Sequence, residues 1–430
     1  GGIFTWMKHS VGEKYSMIVS MIWYAAQLLW FVSVATTTWV TISTAIFGTD
    51  TTSTWHLFGL NSSKTLAILG ILLIIGLAII CGRGLKNLTF LSTVALISMI
   101  VIHIVVIGGA ILVFIMAGGH FAQPMIHSVK GVFVGPNPNY STPLEVVAFF
   151  VFIVFDYGGM EVIAGLADKV KNPHKNVPKG IIISTIIITG LMIGIVIFLG
   201  MYANWDKVLG GSGVNLANYS VYLTDNLGVK IGNALGMNAT ASAALGLWLN
   251  RILSWSAAVG LAILPLRVFS PIQQLFRGVP KGVFPEKLAK ENKHGVAMNA
   301  VWLQTAIVCF IVFLLGFTTS GSSSSLYNTV VLIMTVAMTV PYFFIVVTYI
   351  KFKKNKNIKK SYEFYSVKSG LFWGFIAAAV LGFANLFAII QPALSGNISS
   401  SIWLASGPVI FGFIGWILYS RYKRKMSNSK

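Results

Sequence analysis

Ten apolar stretches run through the chain, at about 15–47, 66–81, 89–116, 144–166, 181–202, 241–276, 298–317, 327–350, 371–390 and 401–420. Most exceed eighteen residues, the length a bilayer demands of a helix. Backbone N–H and C=O groups in hydrocarbon must bond within their own segment, so such runs fold as helices. The expected class is therefore an all-α polytopic membrane protein with ten spans. The composition agrees, with 56% hydrophobic and 10% charged residues.

The net charge is +20, which in a soluble chain points to nucleic acid. Its distribution points elsewhere. With the first residues in the cytoplasm the loops alternate, and outside loops then hold only Lys64, Lys130, Lys207 and Lys230. Arg251 and Arg267 lie within the sixth stretch, and every other Lys and Arg falls inside. This is the positive-inside asymmetry. It predicts a multi-pass protein of a cell membrane (inner or plasma membrane) with both ends of this chain cytoplasmic, and no nucleic-acid partner. Anionic headgroups favour the same basic loops. Cys81 and Cys309 sit in or at the edge of spans, where small buried residues rather than a disulfide are expected.

No soluble domain interrupts the spans. The longest outside connection, about 203–240, is polar and Gly/Asn-rich, with a short helix expected near Val221–Leu227. The connection 351–369 carries Lys351, Lys353, Lys354, Lys356, Lys359 and Lys360. Like charges there predict an open, solvated loop.

The fourth stretch departs from a plain span at Phe155-Asp156-Tyr157-Gly158-Gly159-Met160-Glu161. Each glycine loses about 1 kcal/mol of helix propensity against alanine, and a central Asp costs about 2.5–3.5 kcal/mol on insertion scales. Transporters accept such costs, because backbone unwound inside the membrane offers carbonyls, amides and half-helix dipoles to a polar solute. In an unbroken helix Asp156 and Glu161 would stand about 140° apart and share no face. Unwinding at Gly158-Gly159 leaves carbonyls near Phe155 to Gly158 suited to an ammonium group, and a half-helix restarting near Met160 would offer amides to an anion. A zwitterion the size of an amino acid matches that pairing. The alternative is a kinked helix with a glycine packing contact.

Glu161 is a candidate proton-coupling or gate carboxylate, since an ionisable group inside a span is by default a functional hypothesis. Asp156 either faces the cavity or pairs with a basic group. Arg267 lies sixteen residues from Arg251, about 24 Å along a helix, so the two sit at different depths, Arg251 near the outer interface. A buried Arg267 needs a carboxylate from Asp156, Glu161 or the substrate; the alternative is snorkelling to headgroups. Trp23, Tyr24 and Trp30 lie inside the first span, where packing is the commoner role and lining of a cavity the alternative. His103 reads as hydrogen-bonded packing, and Thr335, Thr339 and Pro341 as local backbone accommodation. There is no metal-ligand spacing, nucleophile elbow or Walker A loop, so no metal, cofactor or hydrolysis is expected.

The run Lys171-Asn172-Pro173-x-x-Asn176-Val177-Pro178 after a Gly-Gly-x-Glu break resembles the amino acid–polyamine–organocation (APC) permeases, as does Gly282-Val283-Phe284-Pro285. The opening Gly1-Gly2-Ile3-Phe4-Thr5-Trp6 is similar to the loop after the second helix in the glutamate/GABA antiporter branch. Gly118-Gly119-His120-Phe121-Ala122-Gln123 resembles the YjeM-type transporters of that branch. The resemblance covers essentially the whole chain. It implies one permease domain with a LeuT-like 5+5 inverted repeat plus two helices, of which the first two are missing here. On that reading 1–143 holds the last three helices of repeat one, 144–350 repeat two and 371–420 the two extra helices. Recovered upstream sequence is expected to add two helices, the first with a glycine-rich break.

The resemblance further implies substrate binding at Phe155, Asp156, Tyr157, Gly158 and Gly159, with Glu161 at the family's glutamate position. Arg267 falls where characterised exchangers place a gating tryptophan, and Gln27 and Phe31 at cavity-lining positions. The implied function is secondary amino-acid transport by alternating access, as exchanger or proton-coupled permease. The partners are then a small amino acid and the lipid bilayer, with a homodimer left open. The competing classes are an integral-membrane enzyme, which needs convergent polar residues at one interface, and a non-transporting sensor.

Overall fold

The computed structural model describes residues 2–83, 88–124, 142–159, 161, 170–211, 213–318, 322–358 and 363–428. In chain order the helices are α1 (Ile3–Val11), α2 (Glu13–Phe47), α3 (Ser62–Gly82), α4 (Leu88–Met116), α5 (Pro143–Ala148), α6 (Phe150–Asp156), α7 (Pro173–Tyr202) and α8 (Trp205–Leu209). They continue as α9 (Tyr219–Ala234), α10 (Ala239–Gly260), α11 (Leu264–Gly278), α12 (Glu286–Ala289), α13 (Met298–Thr318), α14 (Ser323–Lys354), α15 (Val367–Leu394) and α16 (Ile398–Asn428). Among the described residues nine helical segments are long and apolar enough to cross a membrane, with α10 and α11 counted as one. The fourth apolar stretch is the exception. Its described part is divided between α5 and α6, each too short to span, and its remainder from 162 lies outside the described residues.

The 35-residue α2 forms the spine. It is the most deeply buried of the spans and packs against α1, α3, α10, α13, α14 and α16. Its buried face mixes Met17, Trp23, Leu28, Phe31 and Val32 with Ser16, Ser20, Gln27, Ser33 and Thr36. Helices in hydrocarbon associate through close packing and such polar bonds, because lipid is as apolar as leucine. Gly48 ends the helix in the left-handed region (φ +82°), its N–H donating to the Thr44 carbonyl. Outer helices show the reverse pattern. Ile181, Ile183, Ile186 and Ile193 of α7 are exposed apolar side chains, as a lipid-facing surface requires.

Small residues allow the tightest crossings. A Cβ placed on Gly316 of α13 would stand 2.3 Å from the Ala67 Cβ of α3. Gly316→Val is therefore expected to lower stability by about 1–3 kcal/mol, the usual cost of overpacking. An unchanged melting temperature in detergent would contradict this crossing.

Two connections differ from the expectation. The helix expected near Val221–Leu227 extends over all of α9, because Gly228 meets Gly246 of α10 backbone to backbone and holds the pair together. The segment before it is pinned: Asn218 donates to Asp50 (2.9 Å), and the Leu216 N–H donates to Asn328 (2.9 Å). In the basic connection, Lys353 is buried and donates to Glu363 (3.1 Å) and to the Tyr365 carbonyl (2.6 Å). Lys351, Lys353 and Lys354 form the last turn of α14 rather than a loop, Lys351, Lys354 and Lys356 are exposed as expected, and Lys359 and Lys360 lie outside the described residues.

The family-like motifs serve local geometry. Asn172 takes a left-handed conformation (φ +49°) before Pro173, the first residue of α7, where a missing N–H costs nothing. The Asn176 amide donates back to the Lys171 carbonyl. Gly118 and Gly119, both at positive φ, turn the chain after α4 so that the Gln123 N–H meets the Gly200 carbonyl at the end of α7.

Candidate functional site

Helix α6 ends where the glycines begin. The Tyr157 and Gly158 N–H groups donate three residues back, to Val154 (3.3 Å) and Phe155 (2.8 Å), tightening the last turn. Gly159 then adopts φ +99°, a backbone conformation that side-chain-bearing residues rarely take. The break expected at Gly158-Gly159 is present. The restart expected near Met160 lies outside the described residues.

The reversal directs the Gly159 N–H away from any helix and toward two side-chain oxygens, Tyr342 Oη (2.9 Å) and Glu161 Oε2 (3.1 Å). Glu161 is 5% exposed. Tyr342 of α14 donates its hydroxyl to Glu161 Oε2 (3.0 Å), and the Trp23 indole of α2 donates to Oε1 (3.1 Å). A carboxylate removed from water is thus held by three neutral donors from three separate elements. Hydrogen bonds to a charged acceptor are about twice as strong as neutral ones, so this knot joins the break to both α2 and α14.

Arg267 faces the same turn from α11. Its guanidinium stacks on Trp30 (5.4 Å to the ring centroid), and one nitrogen lies 3.9 Å from where a Gly159 Cβ would stand. It therefore does not snorkel to the surface. Glu161 and Tyr342 lie within its electrostatic reach, yet among the described residues no carboxylate forms an ion pair with it. Its position is set from behind. Tyr24 donates to Gln304 (3.1 Å), and Gln304 donates to the Val268 carbonyl (3.3 Å) beside Arg267, tying α2 and α13 to α11. Arg251 does something different, donating to the Phe47 carbonyl (3.3 Å) at the end of α2, where a cation complements the helix dipole.

The remaining expected residues divide. Phe155 packs against Ala26, Met334, Ala337 and Met338. Tyr157 shares a hydrogen bond with Thr189 of α7 (3.0 Å). Gln27 is buried on α2 with its amide toward the Met338 sulfur (3.6 Å), and buried Phe31 meets Trp30 edge-on (5.2 Å), propping the ring that carries Arg267. Asp156 is exposed and lies within reach of Tyr219 rather than Arg267. The two carboxylates of the stretch therefore do not converge. His103 bonds the Met99 carbonyl of its own helix (2.7 Å). Thr339 bonds the Thr335 carbonyl (3.1 Å) and Asn385 of α15 (2.6 Å), the accommodation expected before Pro341. Among the described residues no group of three or more His, Cys, Asp and Glu side chains is placed to hold a metal ion.

Two members of the knot escape sequence reasoning. Trp23 reads as packing, and Tyr342 attracts no notice. The available signal is that a Trp or Tyr inside an apolar span needs a partner for its polar tip. Tyr342→Phe removes one donor to Glu161 and one of the two acceptors of the Gly159 N–H without changing ring shape. A hydrogen bond to a charged group contributes about 1.5–3 kcal/mol. Substrate uptake is expected to fall about tenfold in a protein of normal yield, and wild-type uptake would separate the hydroxyl from the site.

Comparison with known proteins places these features in context. A family model described as amino acid permease matches residues 1–418. The chain is 33% identical over 432 residues to the inner membrane transporter YjeM of Salmonella typhimurium, covering 99% of this chain and 85% of that protein. It is 23% identical over 367 residues to the glutamate/gamma-aminobutyrate antiporter of Lactococcus lactis subsp. lactis, covering 84% of this chain and 66% of the antiporter. It is likewise 23% identical over 433 residues to the aspartate/glutamate permease AcaP of Lactococcus lactis subsp. cremoris, covering 97% and 82%.

Proposed function

Because the chain belongs to the amino acid permease family, we propose that this multi-pass transporter moves an amino acid of the glutamate/GABA type by alternating access, as an exchanger or a proton-coupled carrier. The observation that carries the reading is the Gly158-Gly159 break, with Glu161 bonded across it to Trp23 and Tyr342. The helix-end carbonyls around Phe155, Asp156, Tyr157 and Gly158 receive the substrate ammonium, and Gly159 allows close approach. Arg267, Gln27 and Phe31 belong to the opposite wall. Glu161 is the gate or proton-linked carboxylate. Breaking its bonds to α2 or α14 releases one wall from the broken helix, and a ligand that favours one arrangement shifts the population between them.

The similarity to a glutamate/gamma-aminobutyrate antiporter and an aspartate/glutamate permease of Lactococcus supports an amino-acid substrate of this type. The repeat division at 144 and 350, two extra helices over 371–420 and cytoplasmic ends in an inner membrane complete the proposal. The asymmetric placement of Lys and Arg supports that orientation.

The test is reconstitution of the full-length protein in liposomes with labelled glutamate, GABA and a panel of amino acids. Counterflow without a pH gradient identifies exchange, whereas accumulation driven by an imposed pH gradient identifies proton coupling. Failure to move any amino acid in either assay would end the proposal.

A further inference from the structure

The guanidinium of Arg267 is held in place by the face of Trp30 and, among the described residues, meets no hydrogen-bond acceptor. It carries five N–H donors in a planar fork and cannot shed its charge. Among the described residues it makes no hydrogen bond to an acceptor and no ion pair, although it is only partly exposed. The nearby carboxylate of Glu161 forms no ion pair with it and instead receives Trp23, Tyr342 and the Gly159 N–H. The face of Trp30 confines the guanidinium to one orientation, and Phe31 supports that ring. Such fixing removes much of the ordering cost a ligand would otherwise bear.

We infer that Arg267 is the carboxylate receptor of the transport site, so that its substrates must carry a carboxylate and simple amines are excluded. The inference rests on the transport reading above. Adjacency is its ground. One guanidinium nitrogen abuts the Gly159 turn, and the same turn terminates α6, whose carbonyl end suits an ammonium. A receptor for each charge therefore stands at one break, which fits a ligand bearing both. The planar fork matches the two oxygens of a carboxylate and offers an amine only repulsion. Glu161 and Arg267 balance each other before the ligand arrives, so a zwitterion enters without changing the net charge of the site.

The experiment measures binding to the full-length protein of four probes: glutamate, glutamine, GABA and putrescine. Arg267→Gln removes the charge, and Arg267→Lys keeps the charge without the fork. Wild type is expected to bind at least one carboxylate probe, and a hundredfold excess of putrescine should not displace it. Arg267→Gln should weaken that binding tenfold or more, with Arg267→Lys between the two. Weakening of glutamate and glutamine alike assigns the fork to the carboxylate they share and supports the inference, whereas loss confined to glutamate, with glutamine bound as tightly as before, overturns it.

Unaltered affinity in a folded Arg267→Gln variant would overturn it. So would displacement of a carboxylate probe by putrescine in the wild type, a readout that needs no variant to fold. A wild type that moves amino acids while failing either criterion defeats this inference alone. A wild type that neither binds nor moves any amino acid defeats the transport reading with it.

Discussion

Glu161→Gln is expected to cut substrate uptake by about tenfold or more while the protein still folds into the membrane. Glutamine has the shape of glutamate but only one acceptor oxygen, and the carboxylate it replaces receives donors on both. Whichever way the amide turns, an N–H faces a donor. The less damaging orientation keeps Tyr342 and Gly159 satisfied and leaves the indole of Trp23, itself 2% exposed, without an acceptor. One buried donor left unmet costs about 1–3 kcal/mol, and 1.4 kcal/mol is a factor of ten in an equilibrium. Arg267 also loses the negative charge within its reach. The measurement is uptake in liposomes beside the melting temperature in detergent. Wild-type uptake by a folded Glu161→Gln protein would remove the carboxylate from the mechanism.

Substitution of the paired glycines tests the break itself, and uptake near background is expected from either alanine variant. At Gly159 the obstacle is the backbone: φ of +99° is a conformation that costs alanine about 1–3 kcal/mol. At Gly158 it is space, since a Cβ there would meet the Phe155 carbonyl oxygen at 2.9 Å and the Tyr342 hydroxyl at 2.9 Å. Both changes favour a turn that moves the Gly159 N–H away from Glu161 and Tyr342. Because alanine favours helix over glycine by about 1 kcal/mol, overall stability need not fall with uptake. That separation is the useful result. A Gly159→Ala protein that transports normally would show that the turn is not part of the site.

The apolar stretches were legible because spanning length is a local property. The glycine pair gave the interruption at Gly158-Gly159, since it acts through the backbone of its own neighbours. The prolines mislead: the basic run to Pro178 reads as a loop before the stretch 181–202, yet α7 already begins at Pro173, where a missing N–H costs nothing. The sixth stretch was harder. The short 3₁₀ turn at Leu261–Ile263 separates α10 from α11 and rotates the second helix relative to the first. Counting 3.6 residues per turn from Arg251 therefore does not give the face of Arg267. Asp156 shows the same limit from the other side: five residues from Glu161, it is exposed on the far side of the break.

From residue order alone came the helices, the membrane as their solvent, the broken stretch and Glu161 as its buried charge, because each depends on the composition of a single segment. The folded chain alone decided what surrounds that charge. Trp23 and Tyr342 lie 138 and 181 residues from Glu161 along the chain, and only the packing of α2 and α14 against the turn brings them within 3.1 Å. Periodicity assigns a side chain to a face of its own helix, whereas the partner that meets that face is chosen by how helices cross, and that is a property of the whole assembly.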